Sequence, residues 1–555
     1  MLHAHRYRTR THVNRDETGQ RAVRIPFEAL DNDNVIPPLP PDWLGIEPGV
    51  DYCYCQQPNN MGCYHCAPGA LRICYPYVQF VGDGAVTVHD YGWGIYGPSM
   101  TGIKCPPSRS TTCVTSKHGA VMTALQTSLS TADPATLDAR ELFSQLPPTR
   151  VGETDRRYMD EVLDAGFGNW ESADMLARFE TAYTKKFGVA CAISHNSGSG
   201  TILSCLLAAG VGPGDEVIVP TFTMPASAHA TVQCGAVPVF VDCDPRTFNL
   251  DVADVQRKIT EFTKAIIPVC LFGLPVDFDP LMTLAKKHGL VVIEDDAQCF
   301  LSTYKGRLVG TIGHAASFSF QGSKHMTSGG DGGIVITDDL DYGTRIRKAA
   351  VQGYRTLSAK PGSTQIPRDE RQDHSYERYE TIGYNFRMSA VQAALGLAQL
   401  ERLDHLVAAR RYIAWRHEQV IRETRCEWLI PPYVPEDMTH SYYIYTCILD
   451  EDKLGADWRT FRKTFIDHGG DGLYGSALPA HLEPAYRDMN LCVNRELAPH
   501  FDPRYKGSVK GYDPTGYPNI ESIRKRLCQF KTSAQTLEKV DREVDALEAT
   551  IRHFE

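Results

Sequence analysis

Three short segments of this 555-residue sequence carry residue types that can do chemistry, and each follows a β-branched run. The first is SGSGT, residues 197–201, which directly precedes an apolar helical segment at residues 202–209. Small residues at a helix N-terminus let backbone amides approach an anion, so this segment predicts a phosphate-binding turn. Taken alone, its glycines and serines are equally explained as turn and helix-capping residues.

The second segment is EDDAQ, residues 294–298, at the end of the run VVIED. A carboxylate in this place can pair with a protonated ring nitrogen, which a heterocyclic cofactor requires when it acts as an electron sink. Asp295 and Asp296 are the candidates. Both can instead serve as metal ligands or helix caps.

The third segment is FSFQGSK, which ends at Lys324 and is followed by the glycine-rich stretch SGGDGG at residues 328–333. A lysine just beyond a buried strand and enclosed by such a turn is partly desolvated, which favours the nucleophilic amine. A solvent-facing loop lysine is the commoner explanation of any single lysine. Phosphate turn, ring-nitrogen partner and amine in this chain order together indicate pyridoxal-phosphate chemistry.

The elements that must position these segments alternate between strands and helices. Short β-branched runs follow one another and are separated by helical segments, which predicts a mostly parallel sheet with both faces covered; the runs are VACAIS, EVIVP, VPVFVD, AIIPVCLFG, VVIED, ASFSF and GGIVIT. Ligands on such sheets bind beyond the carboxyl ends of the strands. We also expect helices at 155–165, 172–187 and around 387–410, and a long polar surface loop at 356–380.

Composition excludes several function classes. The sequence is 42% hydrophobic and 22% charged, with a formal net charge of -10. An acidic balance argues against general nucleic-acid binding, and no apolar stretch is long enough to cross a bilayer. The arginine-containing N-terminus lacks the apolar core of a secretory signal, so we expect a cytoplasmic protein.

The length suggests about three domains. We predict a Cys-, Pro- and Tyr-rich N-terminal extension at 1–135, β-rich or irregular, a large domain at 136–400 and a small C-terminal domain at 401–555. Ten of the 17 cysteines are scattered through the later part of the chain and are expected to be buried reduced thiols. The other seven crowd between Cys53 and Cys113.

Four cysteines of the extension have spacings that raise the question of a metal site: Cys53, Cys55, Cys63 and Cys66. Four thiolates can hold a structural zinc ion. Their spacing matches no established zinc pattern, so reduced cysteines or a local disulfide are favoured and no metal is expected. The extension can cover the active-site mouth or bind a carrier protein that delivers substrate.

From about residue 149 onward the chain resembles the DegT/StrS-type sugar aminotransferases, a fold-type I pyridoxal-phosphate family. The matching pieces are VGPGDEVIVPTFT, GAVPVFVDCDPRTFNLD, TKAIIPVCLFGLPVDFDP, HGLVVIEDDAQCF, SFSFQGSK, GGDGGIVITDD and GYNFRMSAVQAALGLAQL. The resemblance implies an α/β fold in which a mostly parallel seven-stranded sheet carries helices on both faces, with a smaller C-terminal α/β domain.

Residue by residue, the resemblance implies that Lys324 binds the cofactor covalently and shuttles the proton, while Asp295 binds the pyridine nitrogen. Gln298 is expected beside the ring hydroxyl. Met224 stands where many relatives have an aromatic residue stacked on the ring. The phosphate contacts would come from Ser199, Gly200, Thr201 and Ser319. Asn385 in GYNFRM corresponds to an asparagine that reaches the neighbouring subunit, which implies a homodimer with shared active sites.

The acceptor side is expected to involve Tyr354, Arg355, His440 and His481, although the two histidines are equally explained as surface or structural residues. The tyrosines at 442, 443 and 445 are interpreted as strand packing.

The resemblance implies amino transfer from glutamate or glutamine to a keto-sugar or keto-cyclitol, in amino-sugar or aminocyclitol formation typical of natural-product and antibiotic biosynthesis. The form SFQGSK resembles the branch that acts on cyclitols. A sugar dehydratase on the same scaffold would carry histidine in place of Lys324. A non-catalytic binding module would show a broken lysine, aspartate or phosphate turn, and none of the three is broken.

Overall fold

The computed structural model describes residues 129–166, 173–492 and 495–555, together with six short strands nearer the N-terminus. Those strands are β1 (His12–Arg15), β2 (Arg21–Pro26), β3 (Tyr52–Cys55), β4 (Leu71–Cys74), β5 (Val78–Val81) and β6 (Ala85–Val88). They form an antiparallel sheet in the order β1-β2-β6-β5 and a parallel pair β3-β4. The strands belong to a unit, Met1–Thr115, that is separate from the unit Ser116–Glu555.

The predicted zinc set falls outside this description. Cys63 and Cys66 lie outside the described residues, and no side-chain placement is described for Cys53 and Cys55.

The second unit is built on a seven-stranded sheet that confirms the predicted α/β fold. In chain order its strands are β7 (Cys191–His195), β8 (Glu216–Pro220), β9 (Val237–Val241), β10 (Thr263–Ile266), β11 (Val291–Asp295), then, after the hairpin β12 (Thr303–Tyr304) and β13 (Arg307–Leu308), β14 (Ala315–Ser319) and β15 (Gly333–Thr337). The spatial order is β7-β15-β14-β11-β10-β8-β9. Every neighbouring pair is parallel except those of β15, which runs antiparallel to both β14 and β7.

Helices cover both faces of this sheet, as alternate residues of its strands show. On β7, Ala192 packs into one buried apolar cluster while Ile193 packs into another. On β15, Ile334 belongs to the first cluster and Val335 to the second. Because successive strand residues point to opposite faces, both faces are buried. The long β-branched runs of the sequence follow from this double burial.

Eleven helices of the described residues pack around this sheet. They are α1 (Ala139–Ser144), α2 (Glu153–Asp164), α3 (Ala173–Phe187), α4 (Gly198–Ala208), α5 (Ala226–Gln233), α6 (Val252–Lys258), α7 (Phe278–His288), α8 (Leu340–Ala350), α9 (Arg368–Gln372), α10 (Ala390–Glu401) and α11 (Leu403–Glu423). Several begin at a capping side chain, such as Asp251 before α6 and Ser389 before α10. The single helix expected around 387–410 is instead two helices joined at Arg402, and the expected loop at 356–380 contains the short α9.

The C-terminal region adds a three-stranded antiparallel sheet. It consists of β16 (Leu429–Ile430), β17 (Ile444–Leu449) and β18 (Leu527–Lys531), with β17 in the middle. Its helices are α12 (Glu451–Leu454), α13 (Trp458–Asp467), α14 (Pro484–Arg487), α15 (Pro518–Ile523) and α16 (Leu537–Phe554). Phe530 of β18 meets Phe465 of α13 edge-on, with ring centroids 5.5 Å apart.

The segment 499–519 packs against the outermost strand of the large sheet, β9. Tyr512 places its ring 4.7 Å from that of Phe240 and donates a hydrogen bond to Pro238 O at 2.7 Å. Tyr505 donates to Glu216 Oε1 at 2.7 Å. None of the helices in the described part of the chain combines the length and the apolar character that a bilayer crossing requires.

Candidate active site

The predicted site residues meet at one edge of the large sheet. Strands β7, β11 and β14 run in the same direction, so their carboxyl ends lie side by side. Asp295 ends β11 and Ser319 ends β14, while α4 begins three residues after β7. A Cβ atom added at Gly198 would lie 2.8 Å from Ser319 Cβ. The first turn of α4 and the end of β14 are therefore in direct contact, and only glycine fits between them.

The first turn of α4 has the geometry of an anion-binding turn. Ser197 caps the helix by accepting a hydrogen bond from Gly200 N at 3.2 Å. Ser199 is exposed, whereas Thr201 is fully buried and shares a hydrogen bond of 2.6 Å with the hydroxyl of Ser317. The hydroxyl of Ser199 is thus free to meet a ligand. The Thr201 amide donates to Ser197 O at 3.3 Å, so Thr201 supports the shape of the turn.

Asp295 is a buried carboxylate with few partners. Its side chain is 5% exposed, and it accepts hydrogen bonds from Ser227 Oγ at 2.8 Å and Ala297 N at 3.2 Å. Burial raises the pKa of Asp295, and the hydrogen bonds and the nearby charge of Lys324 oppose this effect. A carboxylate that is short of solvation is stabilised by a cation. It suits a protonated ring nitrogen.

Asp296, the alternative candidate in the sequence, faces the protein interior. It is fully buried, and neither carboxylate oxygen has a nitrogen or oxygen partner in the described part of the chain. Burial raises the pKa of Asp296 well above the usual range, and the neighbouring Glu294 raises it further. The structure therefore distinguishes the two adjacent aspartates, because Asp295 has hydrogen-bond donors and is influenced by the charge of Lys324, whereas Asp296 is surrounded by acidic groups.

Lys324 lies over the ring of Tyr443, with Nζ 4.5 Å from the ring centroid. Tyr443 shares a hydrogen bond of 2.8 Å with Ser323 Oγ, so its ring is fixed beside the lysine. An ammonium or amine over an aromatic face is held electrostatically and by packing. Tyr443 was not predicted as a site residue, since its motif HSYYIY is equally typical of a packed strand. Tyr442 and Tyr445 are packed in the core region.

Gln298 follows β11 and Met224 follows β8, so both come after the carboxyl ends of parallel strands. Gln298 Oε1 accepts a hydrogen bond from Phe272 N at 2.9 Å, which leaves its amide nitrogen to be offered to a ligand. Met224 is 69% exposed, whereas Phe222 is 5% exposed and packs against Phe272 with ring centroids 6.1 Å apart. Met224, and not Phe222, is the apolar side chain available to a planar ring on this side.

The predicted acceptor residues divide into an exposed and a buried group. Arg355 is exposed and pairs with Glu377 at 2.7 Å, and the Tyr354 hydroxyl donates to Gln352 at 2.5 Å. His440 and His481 are both buried.

His440 stacks on Tyr442 at 3.9 Å and accepts a hydrogen bond from its amide at 2.9 Å. His481 shares a hydrogen bond of 2.5 Å with Thr221 Oγ1. Burial lowers the pKa of His440 to about 3 and that of His481 to about 4. The two histidines therefore lie neutral and packed in the chain as described, where they fix the segments around the site.

These residues fit pyridoxal phosphate. An amine, a buried carboxylate, an amide donor and a glycine-lined helix N-terminus converge at one sheet edge, and these are the groups that bind the aldehyde carbon, the ring nitrogen, the ring hydroxyl and the phosphate. In contrast, no group of three or more His, Cys, Asp or Glu residues arranged to hold a metal ion occurs in the described part of the chain.

Comparisons with known proteins agree with this chemistry. The sequence profile of the DegT/DnrJ/EryC1/StrS aminotransferase family matches residues 149–498. GDP-perosamine synthase from Caulobacter vibrioides is 39% identical over 346 residues, which are 61% of this chain and 86% of that protein. L-glutamine:2-deoxy-scyllo-inosose aminotransferase from Streptomyces lividus is 38% identical over 288 residues, 51% of this chain and 64% of that protein.

Among solved structures, the aminotransferase from Psychrobacter cryohalolentis superposes with a TM-score of 0.64 at 28% identity. The match covers 74% of this chain and 99% of that one. The profile match contains the whole seven-stranded sheet and its site edge. The chain belongs to the DegT/DnrJ/EryC1/StrS aminotransferase family and is a pyridoxal-phosphate-dependent aminotransferase.

Proposed function

We propose that this enzyme transfers an amino group from glutamate or glutamine to a keto-sugar or keto-cyclitol. The observation that carries the proposal is the convergence of Lys324, Asp295 and the α4 turn in a chain similar to a GDP-perosamine synthase and to an aminocyclitol aminotransferase. One relative is named as a synthase of GDP-perosamine and the other as an aminotransferase of 2-deoxy-scyllo-inosose. Glutamine appears in the name of one of them, which supports an amino-acid donor of this type.

The bound cofactor would supply the electron sink that stabilises negative charge on the substrate carbon. Asp295 would keep the ring nitrogen protonated, since its own poorly solvated carboxylate gains from a neighbouring cation. Lys324 Nζ would move the proton between substrate and cofactor. The ring of Tyr443 would support the amine during this step. Gln298 would donate to the ring hydroxyl.

The phosphate would be bound where the first turn of α4, with Ser199, Gly200 and Thr201, meets Ser319 at the end of β14. The acceptor side would be formed by the segment containing Tyr354 and Arg355. A sugar dehydratase on this scaffold is not favoured, because Lys324 is present and lies over Tyr443.

We further propose a homodimer with shared active sites. Asn385 is exposed, and nearby Ile382 is 97% exposed and Tyr384 44% exposed, which is unusual for apolar side chains beside a site. A mixture of inactive Lys324→Ala and Asn385→Ala proteins should then regain about a quarter of wild-type activity, since half the dimers are mixed and each has one intact site. No regain on mixing would contradict shared sites.

We also propose the domain boundaries, the cellular location and the kind of pathway. The division into an extension at 1–135, a large domain at 136–400 and a small domain at 401–555 would place the cofactor in the large domain. We propose that the enzyme is cytoplasmic. We also propose that it acts in the biosynthesis of amino sugars or aminocyclitols for natural products such as antibiotics.

The first test is the visible absorption spectrum of the purified protein before and after addition of glutamine or glutamate. The wild type should show the band of lysine-bound cofactor, and the donor should convert it to the pyridoxamine form. Lys324→Ala should lack the band, and Asp295→Asn should bind the cofactor but convert it slowly. Lys305→Ala is the matched control, because Lys305 is an exposed lysine paired with Asp279 at 2.8 Å.

If the wild type shows no band after pyridoxal phosphate is supplied, the proposed function is wrong. If the band appears but neither amino acid converts it, the donor assignment is wrong while the cofactor assignment stands.

A further inference from the structure

The segment that carries Lys324 is a turn without regular secondary structure. Residues 322–325, here called the lysine turn, lie between the end of β14 and the glycine-rich stretch before β15. Backbone carbonyls that lack a helix or strand ladder need other partners. In this turn the partners are guanidinium groups.

Arg150, just before α2, reaches the lysine turn from one side. Its Nη1 donates to Gly322 O at 2.5 Å, and its Nη2 donates to Lys324 O at 2.8 Å and to His325 O at 3.1 Å. The carbonyl of Arg150 itself accepts from Gln399 Nε2 at 2.7 Å, so the arginine is anchored to α10.

Arg410, on α11, reaches the same turn from the other side. Its Nη2 donates to Ser323 O at 3.2 Å and to Lys324 O at 3.1 Å. Its Nη1 donates to Tyr443 O at 2.8 Å and to Thr532 Oγ1 at 3.0 Å, which ties the turn to the C-terminal sheet. Every carbonyl of the lysine turn therefore accepts from a guanidinium, and that of Lys324 accepts from both.

This arrangement is electrostatically costly. Arg410 is 4% exposed, and in the part of the chain that the structure describes no carboxylate lies within ion-pair distance of Arg410 or Arg150. Burial lowers the pKa of Arg410 to about 9, and the charge of Arg150 contributes. A buried cation beside a half-buried one, without a counterion, is unfavourable. The planar five-donor fork of arginine is, however, the side chain that can hold successive carbonyls in fixed positions.

We propose that Arg150 and Arg410 are positioning residues for Lys324, which hold the backbone of the lysine turn so that Nζ stays over Tyr443 and near the cofactor. The inference rests on the proposed function and deepens it. Neither arginine touches the reacting atoms. A displacement of about 1 Å at the lysine is enough to cost on the order of a hundredfold in rate.

The test compares Arg410→Met and Arg150→Met with Arg411→Met. Arg411 is a matched control, because it is a partly buried arginine on the same helix that donates to two carbonyls, Ser130 O at 2.7 Å and Ala132 O at 2.9 Å, outside the lysine turn. The first readout is hydrogen exchange of residues 322–326 in the protein freed of cofactor. The second is the visible circular dichroism per bound cofactor, together with kcat and KM for the donor half-reaction.

We expect Arg410→Met and Arg150→Met to raise exchange in the lysine turn by about tenfold or more and to weaken the dichroism. They should lower kcat about 10- to 100-fold with KM changed less than about threefold. Arg410→Lys and Arg150→Lys, which keep the charge and part of the hydrogen bonding, should fall between these variants and the wild type. Arg411→Met should keep both lysine-turn exchange and kcat near wild type.

The proposal is overturned if the methionine variants match Arg411→Met in exchange, dichroism and kcat. Should the methionine variants fail to fold, the lysine variants decide by the same criteria. A wild type that binds no cofactor would remove the proposed function, yet exchange in the cofactor-free protein would still report whether the arginines hold the turn.

Discussion

The pair formed by Glu180 on α3 and Arg347 on α8 should be the strongest single polar contributor to the positioning of β7. Both side chains are 0% exposed and form two hydrogen bonds of 2.7 Å. Glu180 also accepts from Ser194 N at 2.8 Å and from Gly362 N at 2.7 Å, which connects β7 to the segment after α8. Removing one partner of a buried pair leaves an uncompensated charge.

We therefore expect Arg347→Met to lower the free energy of opening around β7 by about 3 to 5 kcal/mol. This corresponds to a loss of hydrogen-exchange protection of about 150- to 4,000-fold in the β7 and β15 amides. Exchange is the suitable assay, because a long multidomain chain need not unfold in one step. Arg345→Met is the control, since Arg345 is exposed on the same helix and donates to Ala208 O at 3.0 Å. It should cost less than about 1 kcal/mol.

The effect should also depend on pH with a defined sign. Burial alone raises the pKa of Glu180, but Arg347 and the hydrogen bonds outweigh it and lower the pKa. In the wild type, Glu180 thus contributes stability above its unfolded pKa and loses it as the pH falls. Without Arg347, burial dominates, so Glu180 takes up a proton more readily and the variant is penalised most at high pH. A deficit below about 1 kcal/mol at pH 8, or a larger deficit at pH 5 than at pH 8, would refute this reasoning.

Two further predictions concern the phosphate turn and the buried histidines. Gly198→Ala should weaken binding of pyridoxal phosphate to the cofactor-free protein by about tenfold, because the new methyl group would meet Ser319 Cβ at 2.8 Å. The control Gly212→Ala, whose added methyl group has no atom within 4 Å, should not weaken binding. Equal dissociation constants for the two variants would contradict this prediction. Burial lowers the pKa of several histidines to about 4 or below, so the unfolded chain binds more protons between about pH 4 and 6.5. Stability measured by thermal unfolding should fall as the pH drops through that window. A stability that does not change with pH there would show that these histidines are not held neutral in the folded chain. The histidines are His195, His417, His440, His481 and His500.

The sequence predicted the sheet and its site edge well, because the strands are buried on both faces. Strand β9, Val237–Val241, for example, is a continuous apolar run that few other elements produce. The site residues at strand ends followed from that register. The positions of Asp295 and Lys324 at the site edge could be predicted once the ends of β11 and β14 were recognised in the sequence.

Features that depend on tertiary contact were not predictable in this way. The residue pattern alone does not decide which of Asp295 and Asp296 faces the site, because the strand is buried on both faces; only the family resemblance favoured Asp295. The break between α10 and α11 at Arg402 was missed because the apolar periodicity continues across it. Arg150 and Tyr443 lie far along the chain from Lys324, so their approach requires the folded structure.

The covering of β9 by the segment 499–519 has a consequence for handling of the protein. An outermost strand presents unpaired amides and carbonyls that invite pairing with another molecule. Here tyrosines such as Tyr512 shield that strand through ring packing and a hydroxyl hydrogen bond to Pro238 O. A truncated or proteolytically cleaved chain that lost this segment would keep its catalytic residues but expose the edge of β9. Such a chain would aggregate through that edge before its active site was damaged.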